Sequence, residues 1–207
     1  MPNRFLLANL VALAIATQTT GHRPHWRETS KETIWTGRYG NCDHGYFVTL
    51  PVGVLGHDGL PPSPNHGFYI NLAAPASDRP IPKIDHEVIS VWDEYVTEDG
   101  EDPYTSALHH PRARTVRDPD GTEHHVSATL PTHLGNLKAM LVKSSYTVNG
   151  VTYVTEKVSA LSRGKDIQYE LRMDTSRSDL LRNERIFRQV LAGFYTVPIV
   201  NGECSND

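Results

Sequence analysis

The stretch IQYELRMDTSRSDLLRNERIFRQVLAGF, residues 167–194, decides the fold. Ile167, Tyr169, Leu171 and Met173 alternate with Gln168, Glu170, Arg172 and Asp174. Successive side chains of a strand point to opposite faces, so this run gives one core face and one wet face. The period then changes. Phe187, Val190, Leu191 and Phe194 fall at i, i+3, i+4 and i+7 and form one apolar stripe of a helix, with Arg185, Arg188 and Gln189 expected toward water. Asn183 is the expected N-cap, Glu184 suits the positive helix end, and Pro198 ensures that the helix does not continue. A strand with one apolar face and a helix with one apolar stripe each need a cover, and each supplies the other's.

Working back toward the N-terminus, residues 151–161 and 137–148 read as two more strands. Asn149-Gly150 joins them, and this pair suits a type I′ hairpin because both central residues need positive φ. Arg163-Gly164-Lys165-Asp166 makes the next turn. The expected fold class is therefore α+β, an antiparallel β-meander sheet packed by a C-terminal helix.

Farther upstream the pattern is less regular. Residues 46–50 are a β-rich run ended by Pro51, residues 53–56 a short continuation past the bend, and residues 67–72 a further strand. Between them HDGLPPSPNH, residues 57–66, excludes helix and central strand through its prolines. Residues 75–82 form another loop. Residues 86–96 fit two periods: Val88, Val91, Trp92 and Tyr95 are helical, whereas Ile89, Val91 and Tyr95 alternate, with Asp93 as the exception. Enrichment in β-branched and aromatic residues favours the strand. Residues 97–130 are polar, with a turn at Asp118-Pro119-Asp120-Gly121 and a short helix over residues 104–110 that Pro111 stops.

The chain of 207 residues is 38% hydrophobic and 21% charged, with 20 Lys and Arg against 24 Asp and Glu, a formal charge of −4. That is globular composition, and no basic block of the kind that tracks phosphates is present, so nucleic acid is not expected as a partner. Arg4 precedes FLLANLVALAIA, residues 5–16, and polar Thr17-Gln18-Thr19-Thr20 follows. The order positive, apolar, small-x-small is that of a secretory signal peptide, and the run falls short of the ~20 residues that span a bilayer. The expected organisation is a signal peptide over residues 1–16, a linker over 17–32 and a single α+β domain over 33–207, with no membrane span after cleavage and a periplasmic or extracellular location. Cys42 and Cys204 are an even count in a chain bound for an oxidising compartment, and a disulfide between them is expected.

The strand at residues 167–175 followed by Asn183-Glu184-Arg185-Ile186-Phe187-Arg188-Gln189-Val190-Leu191-Ala192-Gly193-Phe194 resembles the C-terminus of the PsbP-like superfamily. Gly45-Tyr46-Phe47-Val48-Thr49-Leu50-Pro51-Val52-Gly53 resembles that superfamily's opening strand. The resemblance covers the two ends of the chain and implies an α/β/α sandwich that acts as a binding or assembly module. It carries over no functional residue, and the proline- and histidine-rich middle departs from it.

The chemistry-bearing residues gather near the first strands. Of eleven histidines, His44, His57 and His66 flank the first strand and the Pro-rich loop, beside Asp43, Asp58 and Asn65. Imidazole and carboxylate are the donor set of zinc and similar metals, and two of these histidines meet if the strands from Tyr46 and Gly67 pair antiparallel. No H-x-H or H-x-x-x-H spacing occurs, and His109-His110 and His124-His125 lie in polar stretches expected to be solvated loops. His57, Asp58, Ser63, Asn65 and His66 are the candidate ligand-binding loop, pre-ordered by its prolines. Asp93, Glu94, Glu98, Asp99, Glu101 and Asp102 are numerous enough for a glycosidase pair, but a charge run is commonly a wet face. There is no G-x-S-x-G, Walker loop or G-x-G-x-x-G, so neither a catalytic motif nor a cofactor is expected. The leading functional expectation is an exported, non-enzymatic module binding a protein or a small molecule. The alternative is a metal-dependent or carboxylate/histidine hydrolase working near residues 43–66.

Overall fold

The computed structural model describes residues 33–58, 66–78, 86–96, 114–117, 121–200 and 203–204. The expected signal peptide, the linker, Ser63, Asn65 and the short helix at 104–110 lie outside them. The described residues belong to one compact unit.

Its strands in chain order are β1 (Thr33–Trp35), β2 (Arg38–Asn41), β3 (Tyr46–Thr49), β4 (Gly56–Asp58), β5 (Gly67–Asn71), β6 (Val88–Tyr95), β7 (Arg114–Arg117), β8 (Glu123–Leu134), β9 (Leu137–Val148), β10 (Val151–Leu161) and β11 (Ile167–Ser176). The helix α1 (Leu180–Gly193) follows, then β12 (Phe194–Thr196), β13 (Ile199–Val200) and β14 (Glu203–Cys204). Nine strands make one antiparallel sheet in the order β1-β4-β5-β6-β11-β10-β9-β8-β7. A second sheet runs β12-β3-β2, and β13 pairs with β14. Among the described residues no helix is long and apolar enough to cross a membrane.

The meander forms as its pattern dictates. Asn149 and Gly150 have φ of 51° and 79°, the positive values that the two-residue turn requires, and Val148 pairs with Val151 across it. Register then aligns the core rows: Met173 lies beside Ile89, Leu171 beside Val91 and Val158, and Tyr169 beside Ala160. Phe187, Val190 and Phe194 are buried in one cluster with Tyr169, Leu171 and Met173, and with Tyr46 and Val48 of the smaller sheet. Each such side chain, fully withdrawn from water, contributes about 1.5–3 kcal/mol. The core thus fills the space between one face of the large sheet and the layer made by α1 and the small sheet. Among the described residues α1 is the helix of the α+β architecture.

Three expectations change on contact with the fold. The helix begins at Leu180, one turn before Asn183, because the Ser176–Asp179 turn starts it: Asp179 N–H donates to the Ser176 carbonyl at 3.1 Å, and Asn183 N–H to the Asp179 carbonyl at 3.0 Å. Asn183 is instead fully buried and donates to Glu87 Oε2 (2.9 Å) and Thr175 Oγ1 (2.8 Å), a strut between helix and sheet. Arg188 does not simply face water, since its guanidinium reaches Glu156 Oε2 at 2.9 Å and Glu184 Oε1 at 3.0 Å. Finally, β7 and β8 occupy part of the stretch expected to be loop. His124 and Val126 are buried there between exposed neighbours, with His124 packed on Tyr146 (ring centroids 4.5 Å apart), so His124 belongs to a strand and not to a solvated loop.

Candidate functional site

The corner between β2 and β3 reads Asn41-Cys42-Asp43-His44-Gly45. Asn41 Oδ1 accepts the main-chain N–H of Asp43 (3.1 Å) and of His44 (3.2 Å), an Asx turn that sets the path of the corner. Tyr169 Oη donates to the His44 carbonyl at 2.7 Å, and Val197 N–H donates to the Gly45 carbonyl at 2.9 Å. Cys42 and Cys204 are bonded, their Cα atoms 5.0 Å apart, which fastens the corner to the β13–β14 hairpin.

Asp93 comes from β6. It sits opposite Tyr169 of β11, continuing the apolar row Ile89, Val91, and its side chain is 0% exposed. His66 comes from the residue before β5. Gly67 has φ of +133°, and a Cβ there would overlap the Val91 carbonyl, so glycine is what lets β5 begin this close to β6. The close approach lets Asp93 N–H donate to the His66 carbonyl at 3.0 Å, while His66 Nδ1 hydrogen-bonds the Asp93 carbonyl oxygen at 2.7 Å.

These elements bring three donors together. His44 Nδ1 is in direct contact with Asp93 Oδ1, and His66 Nδ1 lies 3.9 Å from the same oxygen. One ligand atom from each of His44, His66 and Asp93 falls within 4.8 Å of the others. Asn41 Nδ2 is 3.4 Å from Asp93 Oδ2 and 3.3 Å from His44 Nδ1. Trp92 stacks on the His66 ring at 5.6 Å, and Tyr95 meets the His44 ring edge-on at 4.9 Å. Burial, then Tyr39 and the Asp93 charge, hold the fully buried Tyr46 phenol well above its usual pKa. Burial, then Asp93 and Asp166, raise that of Tyr169.

His44 and Tyr169 also line a groove of about 570 Å³. Its other walls are the β10–β11 turn, with Ser162, Arg163 and Asp166, and the segment Thr196-Val197-Pro198-Ile199. The groove is of the size that takes small ligands, and its lining is slightly more polar than apolar.

Of the residues singled out in the sequence, His44 and His66 meet. They do so without pairing of the strands from Tyr46 and Gly67, since β3 belongs to the small sheet and β5 to the large one. His57 does not join them. It is buried in β4 opposite Tyr69, whose row runs on through Ser90 to Arg172, on the face of the sheet away from Asp93. Asp58 ends β4. Sequence reasoning set Asp93 among the acidic residues of a possible carboxylate pair and missed it as the partner of the two histidines, though its break in the alternation of β6 was the signal. Asn41 carried no signal at all.

No family model matches the chain, and no curated protein matches it by sequence. Among solved structures the chain is similar to LpqN of Mycobacterium tuberculosis, a protein involved in cell envelope biogenesis, at 15% identity over 84% of this chain and 88% of that one, with a TM-score of 0.40. It is also similar to the cyanobacterial PsbP of Synechocystis sp. PCC 6803, at 13% identity over 81% and 94% of the two chains, with a TM-score of 0.41.

Proposed function

We propose that this protein is an exported binding module that takes its ligand at the His44 end of the large sheet. The observation that carries the proposal is the grouping of chemistry-bearing side chains there: His44, His66, Asp93 and Asn41 converge at one corner, and His44 opens onto the groove. Export is supported by the layout of residues 1–20 and by the Cys42–Cys204 bond, which belongs in an oxidising compartment. The ligand class that suits the groove is a small polar molecule, held between the Val197-Pro198-Ile199 wall and the polar turn at Ser162 to Asp166.

The test compares what wild type and variants retain from the source envelope fraction, identified by mass spectrometry. Arg163→Glu and Ile199→Glu alter exposed groove residues, whereas Arg117→Glu alters an exposed residue on the edge strand β7. The ligand should be kept by wild type and Arg117→Glu and lost by the two groove variants. Equal retention by all four proteins sinks the proposal.

A further inference from the structure

We infer that His44, His66 and Asp93 form a binding site for a single first-row divalent transition metal, with Zn²⁺ the reference ion. The inference rests on the binding corner just proposed and names the ligand chemistry of its deepest part.

Three observations carry it. First, the donors converge from three separated places, the β2–β3 corner, the residue before β5, and β6, yet their ligand atoms lie within 4.8 Å of one another. Zinc takes nitrogen and oxygen ligands at ~2.0–2.2 Å in tetrahedral array, which places such atoms ~3.4 Å apart, so small side-chain movements close the shell. Second, the buried Asp93 Oδ1 is in direct contact with His44 Nδ1, and His66 Nδ1 lies 3.9 Å from it, so the groups that face this carboxylate are imidazoles, themselves metal ligands. A carboxylate at 0% exposure needs compensation for its lost hydration, and a cation seated among these donors supplies it. Third, the surroundings are those of an outer shell. Asn41 reaches Asp93 Oδ2, and the Asp93 carbonyl holds His66 Nδ1, contacts that fix donor orientation as second-shell bonds do.

The donor chemistry selects the metal class. Two imidazoles and one carboxylate suit zinc and its first-row neighbours, whereas calcium and magnesium take oxygen. Three protein ligands leave the fourth tetrahedral position to water or to an exogenous group. The simpler alternative, a His44–Asp93 ion pair serving the fold alone, has no use for His66 as a ligand, and that difference makes it testable.

The full chain, stripped with EDTA and dialysed, is titrated with ZnCl₂ by calorimetry. The account expects one Zn²⁺ per chain. It expects His66→Ala to bind at least tenfold more weakly with an unchanged far-ultraviolet circular dichroism spectrum, and Asp93→Asn to lose binding further. Co²⁺ in place of zinc should give the visible absorption of a four-coordinate site in wild type and not in His66→Ala. His125→Ala, an exposed strand histidine outside the cluster, should bind as wild type does. Should Asp93→Asn fail to fold, His66→Ala decides, because its side chain is 30% exposed and lies at the edge of the core. Absence of stoichiometric binding in wild type, or an unchanged affinity in His66→Ala, overturns the inference. Loss of the metal with groove-dependent ligand retention intact removes this inference alone. Zinc binding with no effect of the groove variants removes the groove-ligand proposal and leaves the metal site standing.

Discussion

Around Phe187, every charged or amide group that enters the core has its partner beside it. Glu156, 2% exposed, is met by Lys143 from β9 and Arg188 from α1, and the fully buried Asn183 donates to both Glu87 and Thr175. Around Asp93 the arrangement differs: an equally buried carboxylate is met by two imidazoles and an amide, His44 in direct contact, Asn41 at 3.4 Å and His66 at 3.9 Å, in place of a lysine and an arginine. Both regions lie on the same face of the same sheet, four residues apart along β11 (Met173 beside Glu156, Tyr169 beside Asp93). The difference teaches which buried polar groups are struts and which are left for a ligand. A strut is satisfied by the fold itself, whereas a binding group is oriented by the fold and completed from outside.

The comparison can be broken first at its structural end. Phe187→Ala should cost about 3–5 kcal/mol in urea denaturation, because a fully buried ring leaves a cavity that its neighbours cannot close. A loss below about 1 kcal/mol would mean that α1 rests on the sheet without supporting it. Replacing Cys42 and Cys204 together with serine should cost about 2–4 kcal/mol, since the bond joins residues separated by 162 positions. The same double variant sharpens the functional end, for it frees the corner that carries His44 and should also weaken zinc binding, which Phe187→Ala should leave intact in the molecules that remain folded. Arg188→Ala should cost less again, about 1–3 kcal/mol, because Glu156 loses one of its two cations but keeps Lys143. A stability equal to wild type would show that Lys143 alone suffices for the strut.

The structural half was the more legible in sequence because periodicity reports burial directly. The alternation of residues 167–173, the Asn149-Gly150 turn and the Phe187 stripe each name a face, and the fold uses those faces; Asp174, expected toward water, is instead buried and accepts from Thr155 and Arg172. Two features hid the rest. In β8 the pattern is broken by a register shift between Val126 and Ala128 and by Pro131, which pairs with Met140. That proline is tolerated because β7 pairs only with residues 123–126, so among the described residues nothing needs an N–H from the other edge of β8 at that point. The site was hidden for another reason. His44, His66 and Asp93 have no mutual spacing, since two sheets and a glycine-dependent close approach bring them together. Only the misfit of Asp93 in an otherwise alternating strand showed that one position there answers to something besides packing.

The central claim is that this misfit is a ligand site, and thermal unfolding with and without zinc tests it most directly. At a free Zn²⁺ concentration of 100 times Kd, wild type should gain about 2.7 kcal/mol. For a domain of this size that raises Tm by about 5–10 °C. His66→Ala, measured at the same zinc concentration, should shift by about half as much or less. Equal shifts in the two proteins, or no shift in either, would contradict the account and return Asp93 to the company of Glu156 as one more strut.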